Sequence, residues 1–386
     1  MSTEMTARAA TGPTEPTGPT GPTEPTEPTG LTGPAGPAGT AETGGSGDLG
    51  PGEAVRSMSS GAVVDAGAPA GSWLGRRDPA DFPAGLVAEA QATADAAAEA
   101  VGVCFVEYRS IAEMNEAAGL LDRVWRPGGG GSPLVTAALL KVLAHCGSYV
   151  VGAHRQDRVV GVCLGLLADF GLHSHITGIE DGWRGGGLGR ALKLHQRAWC
   201  LRRGIGAVTW TYDPLVSRNA YFNLAKLGAV AVQYHPDYYG EMADERNVGI
   251  PSDRLLVRWD LAGPHTRAVL SGDFTPATDD AVVALGVGPD GGPVIAGADR
   301  VRGAGRLLTA VPRDVEELRV RDPALAARWR PALREVLGGL LADGARITGF
   351  TRDGWYVVER PEQSEQMRQT PRTQHIAPGH NQEDHS

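Results

Sequence analysis

The sequence predicts a mixed α/β fold, an α+β mixed sheet rather than an alternating doubly wound one. Three observations carry this. Between about Val101 and Leu261, strand-like and helix-like runs follow the order β-α-α-β-β-β-α-β-α-β-β. Three successive strands in the middle exclude strict βαβ alternation. The strand-like runs are rich in β-branched residues, whereas the helical ones repeat their apolar residues every three to four positions. Finally, five glycines fall within the eight residues Gly182 to Gly189, directly between a strand-like run and a helical one.

Each element has a local reason. "FPAGLVAEAQATADAAAEA" reads as an alanine-rich helix and "GVCFVEYR" as a strand. Ser110 with Glu113 three residues on forms a capping box, opening a helix through Trp125 with Ile111, Met114, Ala118 and Leu121 on one face. "RPGGGGSP" reads as a turn and "LVTAALLKVLAHC" as a second helix. Three strands follow, from Ser148, Arg158 and Leu172, the first two joined by an "HRQDR" hairpin. Leu188 to Arg203 is helical, with Leu188, Ala191, Leu192, His195 and Trp199 on one face and Gly204 as its stop. "AVTWTY" is a strand. Asp213 and Pro214 read as an N-cap and first residue of a helix ending at Gly228. "AVAVQYH" and "LLVRWDL" complete the set, joined by a loop from Pro236 to Asp253. Beyond it, "DAVVALGV", "GRLLTAVP", the helical "DPALAARWRPALREVLGGLLADG", "RITGF" and "WYVVE" suggest a smaller α+β extension.

The expected organisation is a disordered Pro/Gly/Thr-rich tail at 1–74, a mixed-sheet domain at 75–262, the extension at 263–360 and a disordered tail at 361–386. The triplets in the first tail look like collagen, but Glu15, Glu24 and Glu27 stand where a triple helix admits only glycine. With 386 residues, 41% of them hydrophobic, the chain can bury a sizeable core. A formal net charge of −9 argues against a nucleic-acid partner held by charge. No apolar run is long enough to span a membrane, and the N-terminus lacks a secretory apolar region, so the expectation is a cytoplasmic protein. Cys104, Cys146, Cys163 and Cys200 form no C-x-x-C pair and sit in apolar segments, as reduced, buried thiols do.

Consecutive N–H groups at a glycine-rich turn, leading into a helix N-terminus, form an anion cradle. The stretch therefore suggests a phosphate-bearing ligand; the alternative is a tight strand-to-helix turn that binds nothing. A Walker loop fails, because no Lys-Ser/Thr pair follows the glycines. A dinucleotide fingerprint fails too, since its third glycine is Arg190 or Leu192. The pattern [Q/R]-x-x-G-x-[G/A] is satisfied by Arg184, Gly187 and Gly189.

That last pattern is the pyrophosphate loop of the GNAT acetyltransferases, and from about Val101 to Leu261 the sequence resembles this superfamily. The loop follows the fourth strand, and "LAKLG" is similar to the family's "YEKLGF". More narrowly, "LHSHITGI", "WTYDPL", "RNAYFNLAKLGAV" and "DPALAARWRPALRE" resemble a poorly characterised bacterial GNAT-like subgroup. The resemblance implies an acyl-CoA N-acyltransferase fold, with acetyl-CoA or another acyl-CoA as co-substrate and no metal. It implies direct attack by a small amine-bearing acceptor in a ternary complex, and it leaves the acceptor unnamed. A non-catalytic acyl-CoA-binding module or sensor is the alternative, and a homodimer is allowed. The family's fourth and fifth strands splay apart, and pantetheine pairs with the fourth. Ile179, Glu180 and Asp181 would then give backbone contacts. Arg184, Gly185, Gly186, Gly187, Leu188, Gly189 and Arg190 would hold the pyrophosphate. Asn219 lies near the family's cofactor-facing helix asparagine, and Ser217 is at the more usual spacing.

Acyl transfer to an amine needs a base for the nitrogen, a donor for the developing oxyanion and a proton for the leaving thiolate. His173 and His175, two apart on a strand, share a face and have the right intrinsic acidity. An H-x-H zinc site lacks an obvious third ligand nearby. Asp213 is a candidate to orient a histidine or bind the acceptor amine, or else a helix cap. The family's tyrosine position, four residues before the glycine of "KLG", is Leu224 here. Tyr221, a candidate catalytic residue, and Tyr212 are nearby, and neither matches by position, so the thiolate leaves unassisted, another residue helps it, or the protein is not a catalyst.

Overall fold

The computed structural model describes residues 78–125, 133–240 and 251–361. These lie in one of two compact units of the chain, Val63–Ser386; the other, Met1–Ala62, falls outside the described residues. Also outside are the tail expected at 1–74, nearly all of that at 361–386, the glycine turn after Trp125 and the middle of the loop after Pro236.

Strands β1 (Cys104–Glu107), β2 (Tyr149–Arg155), β3 (Arg158–Ala168), β4 (Gly171–Ile179), β5 (Ala207–Tyr212), β6 (Val230–His235) and β7 (Arg254–Asp260) form a seven-stranded sheet in the order β1-β2-β3-β4-β5-β7-β6. All neighbours are antiparallel except β4 and β5. That parallel pair is short. Only Leu172 with Val208 and His173 with Thr209 are in register, while β4 pairs with β3 out to Ile179. The two strands part after His173, leaving the fork that the sequence resemblance implied.

Helices cover both faces. Helix α1 (Leu86–Val101) ends at Gly102, whose φ of 66° lets its N–H reach the carbonyls of Ala98 and Glu99. In α2 (Ile111–Trp125), Glu113 Oε2 accepts from the Ser110 N–H at 2.7 Å and Ser110 Oγ from the Glu113 N–H at 3.2 Å, the expected capping box. Its buried face is Met114, Ala117, Leu120, Leu121 and Val124, one position round from the expected stripe, so Ile111 is exposed. With α3 (Ala137–His145), α2 closes a smaller core against β2, β3 and β4. On the other face α1 packs with α4 (Leu188–Leu201). Helix α4 is buried almost all round, including Lys193, Gln196 and Arg197, so its burial exceeds the expected apolar stripe. Cys163 and Cys200 are buried, but Cys104 and Cys146 are exposed, a correction to the expectation for all four.

After β5 the chain forms a short α5 (Ser217–Ala220) that continues as a π-helical stretch, Tyr221–Lys226, before Gly228 turns at φ 72°. Beyond α6 (Pro264–Ser271), strands β8 (Val282–Val287), β9 (Pro293–Ile295), β10 (Arg306–Ala310), β11 (Arg346–Phe350) and β12 (Trp355–Glu359) build a second sheet, ordered β11-β12-β10-β8-β9. The short helix α7 (Ala298–Val301) and helices α8 (Val315–Arg321) and α9 (Pro323–Leu333) accompany it. Trp210, Tyr212 and Leu224 of the first sheet's region share one hydrophobic core with Trp329, Phe350 and Tyr356 of the second.

Candidate active site

The fork opens at a β-bulge. Leu164 of β3 faces Ile176, but Gly165 faces Ser174, so His175 is the extra residue. Ser174 points to the α4 side, where it meets Lys193. Alternation puts His173 on the opposite face, and the bulge keeps the His175 ring 6.2 Å from it. His173 Nδ1 is 3.1 Å from Thr209 Oγ1 on β5. Burial lowers the pKa of both histidines, and for His173 the neighbouring His175 and the charge of Lys193 lower it further. Both rings are therefore neutral at neutral pH. In the tautomer whose Nδ1–H donates to Thr209 Oγ1, Nε2 is the nitrogen of His173 that can take a proton.

The glycines lie at the other end of β4. Gly185 has φ 78° and Gly187, the N-cap of α4, φ 93°. These two positions need glycine for their backbone conformation. Gly186 and Gly189 do not. A Cβ on Gly186 would come no closer than 3.8 Å to any neighbour, and one on Gly189 would make ordinary contact with Ile179 at 3.5 Å. A Cβ on Gly185 would point into open space, with nothing beyond its chain neighbours within 4 Å. The Gly187 carbonyl accepts the Ala191 N–H at 3.0 Å, which starts the helix and leaves the preceding N–H groups without intrahelical acceptors. Bare backbone donors, a helix N-terminus and open space fit a phosphate group.

The backbone beside the fork is only partly available. Glu180 is not: its N–H donates to the Val160 carbonyl at 3.1 Å, and its own carbonyl accepts from Trp183 at 2.9 Å. The expectation that Glu180 lends its backbone to a ligand is corrected accordingly. Its carboxylate ties Arg158 and Arg123 to the strand end. Hydrogen-bonded pairs alternate in an antiparallel ladder. Since Glu180 bonds β3, Ile179 turns its peptide groups toward the fork. Its carbonyl accepts from Arg184 Nε at 3.3 Å, and Arg184 also pairs with Asp181 at 2.9 Å. Arg184, Asp181 and Ile179 thus form one linked corner where β4 meets the loop.

Other expected residues go elsewhere. Asp213 is not beside the histidines' base nitrogens as an orienting group. Its carboxylate binds Arg330 at 2.6 Å and Arg319 at 3.3 Å from the second sheet's helices, and accepts the Leu215 N–H at 3.0 Å. Burial would raise its pKa, but the Arg330 charge and hydrogen bond outweigh that and hold it low. Nor does it cap a helix, because α5 begins at Ser217 with Val216 as its N-cap. Tyr221 lies in the π stretch, where a hydrogen bond with Arg352 of the second sheet's β11–β12 turn, and then the charge of Lys226, lower its pKa. Leu224, at the family's tyrosine position, is buried in the core. Ser217 Oγ lies beside Gly354, 3.6 Å from where a Cβ there would sit, and the Asn219 N–H bonds the Val216 carbonyl at 2.9 Å.

Two groups of residues were missed in the sequence. Thr209 and Thr211 line the histidine face of β5, opposite the core residues Trp210 and Tyr212, and Thr211 Oγ1 is 3.4 Å from Tyr239 Oη. The alternation of "VTWTY" is the signal for them. The second group, Lys193 with Gln196, lies under the fork, where an apolar stripe concealed it. Among the described residues no cluster of three or more metal-binding side chains occurs, and no helix is long and apolar enough to cross a membrane.

No protein-family model matches the chain, and no curated protein matches it. Solved structures do. Many of the matches are GNAT-family acetyltransferases. An acetyltransferase of the GNAT family from Streptococcus pneumoniae is 14% identical, with a TM-score of 0.33, over 40% of this chain and 97% of that one. The ribosomal-protein-S18-alanine N-acetyltransferase from Escherichia coli is 12% identical, TM-score 0.34, over 42% and 95%. An aminoglycoside 6'-acetyltransferase type Ii is 17% identical, TM-score 0.34, over 42% and 98%. At this level of likeness, the residues of this chain decide what its site can do.

Proposed function

We propose that the chain is an acyl-CoA-dependent N-acyltransferase acting on a small amine. The observation that carries the reading is the alignment of parts along β4. An open strand edge begins at the neutral pair His173 and His175 and runs to the glycine cradle at the N-terminus of α4. Gly185 to Arg190 would hold the pyrophosphate through backbone N–H groups. Ile179 would face the pantetheine. When bound, acetyl-CoA supplies an acyl thioester, whose C–S bond breaks as the acceptor's N–C bond forms. His173 Nε2 takes the proton from the acceptor nitrogen, and His175 stands beside it as the second candidate. Tyr221, with its pKa lowered by Arg352, is the candidate donor to the thiolate. The buried Leu224 favours a second reading, an acyl-CoA sensor without turnover. Release of free CoA thiol in the presence of an amine panel separates the two.

The first test is a thermal shift with acetyl-CoA on the full chain beside Gly186→Glu. This variant places a negative side chain in open space without backbone strain. A ligand that binds the native state alone, at about 100 times its Kd, stabilises by about 2.7 kcal/mol. The wild type should gain melting temperature and Gly186→Glu should not. Equal shifts in both, or none in the wild type, reject the cradle.

A further inference from the structure

Beneath the fork lies a charge that the acyl-transfer reading does not use. Lys193 of α4 is only 8% exposed. Its Nζ donates to Ser174 Oγ at 2.8 Å and to Gln196 Oε1 at 3.1 Å, and it lies 4.0 Å from the centroid of the Trp210 ring. These partners are all neutral, and no carboxylate among the described residues pairs with it. The titratable groups around it are Cys163 from β3, Cys200 from α4 and His173 from β4. Burial brings its pKa down to about 8, so at neutral pH it is still mostly an ammonium.

Its position is specific. His173 and Thr209 are the last partners across the β4–β5 pair. Ser174 and Trp210 are the next residue on each arm. Lys193 touches both, and so sits in the crotch where the strands separate. A buried, unpaired charge is destabilising compared with an apolar group of the same size. Two hydrogen bonds and a cation–π contact offset part of that. A methionine would fill the same space without the penalty. A charge kept at such a point has its use in the electrostatics of the fork, where the low dielectric magnifies it.

We propose that Lys193 is a positioning residue of the acyl-transfer centre. It braces both arms of the fork through Ser174 and Trp210, and its ammonium stands behind the strand face on which an acyl oxygen gathers negative charge. This rests on the acyl-CoA reading. Preorganised charge aimed at a developing oxyanion is a large source of rate enhancement. Here it acts through β4, from the α4 face, without touching substrate.

The test uses the full chain, wild type and Lys193→Met, titrated with acetyl-CoA carrying carbon-13 at the thioester carbonyl. The bound carbonyl resonance should move downfield in the wild type and markedly less in Lys193→Met, with Kd values within about threefold of each other. The variant should melt within a few degrees of the wild type, because the buried charge that is removed and the hydrogen bonds lost by Ser174 and Gln196 act in opposite directions. Carbonyl shifts that are the same in both proteins overturn the proposal and leave acyl-CoA binding intact. Should Lys193→Met fail to fold, Lys193→Gln, which keeps a donor for Ser174 without the charge, carries the same comparison, and carbonyl shifts equal to the wild type in it overturn the proposal as well. Absence of binding to the wild type, read from the same titration, removes both readings together.

Discussion

His173 and Asp213 were both legible in the sequence as candidates for acid–base work, and their surroundings separate them. His173 is held through Nδ1 by Thr209 in a partly buried site that favours its neutral form. If it is the base, kcat/KM should rise with pH along a limb whose midpoint lies below the ordinary histidine pKa of about 6.5, and be flat above it. His173→Gln should lower kcat/KM by roughly 10²–10⁴-fold and remove that limb. A limb that survives the substitution assigns the base to another group. Asp213 has both oxygens bound to arginines more than a hundred residues downstream, a partnership that no local pattern discloses. Removing one member of a buried ion pair destabilises by about 3–5 kcal/mol. Asp213→Asn should therefore lower denaturant stability by an amount near the bottom of that range. Its contribution is also pH-dependent. The folded pKa is depressed, so the stabilisation is present above the usual aspartate value of about 3.8 and is lost as pH falls below it. A variant with wild-type stability and a selective loss of kcat would return Asp213 to the chemistry.

The glycine knot and the helix behind it show what an element's sequence reveals and what it hides. Spacing alone singled out the bare backbone before α4, a setting that suits a phosphate group. It did not show which glycines are conformationally required. Gly187 at φ 93° is, and Gly186 is not. A left-handed conformation costs an L-residue roughly 1–2 kcal/mol. Gly187→Ala should lose about that much stability in urea titration, whereas Gly186→Ala should be nearly neutral. Equal losses would mean that the left-handed φ of Gly187 does not set the cost. Helix α4 was recognised from its apolar face, but Lys193, Gln196 and Arg197 are buried too. Amphipathic reasoning assigns such residues to solvent. It fails where a helix is covered on one side by a sheet and on the other by α1. The π stretch Tyr221–Lys226 was likewise unreadable, since its hydrogen-bond register depends on tertiary contacts.

Across the first sheet the order of elements was legible, because each strand and helix carries its own period and its own stops, whereas the short elements α6, β9, α7 and α8 beyond it went unread. The relation of the second sheet to the first was not legible either, because it rests on contacts between distant parts of the chain. Tyr356 Oη donates to the Pro214 carbonyl at 2.8 Å, and Tyr212 and Tyr356 hydroxyls meet at 3.3 Å. Arg334 binds Asp253, which is wholly buried and also accepts from Tyr234 Oη at 2.6 Å. Asp213 and Asp253, at the end of β5 and the start of β7, thus find their counter-charges in the second sheet's helices. Cutting the chain after the first sheet would leave two buried carboxylates unpaired and expose the side of Trp210, Tyr212 and Leu224 that now shares a core with Trp329 and Tyr356. Each unpaired charge is destabilising by several kcal/mol, against a total stability of about 5–15 kcal/mol for a typical domain. The fragment 75–262 should therefore show no cooperative thermal transition and should bind a hydrophobic dye, while the full chain melts in one step. A fragment that melts cooperatively and still gains melting temperature with acetyl-CoA would mean that the first sheet holds the fork by itself. The arginines of the second sheet would then serve only to attach it.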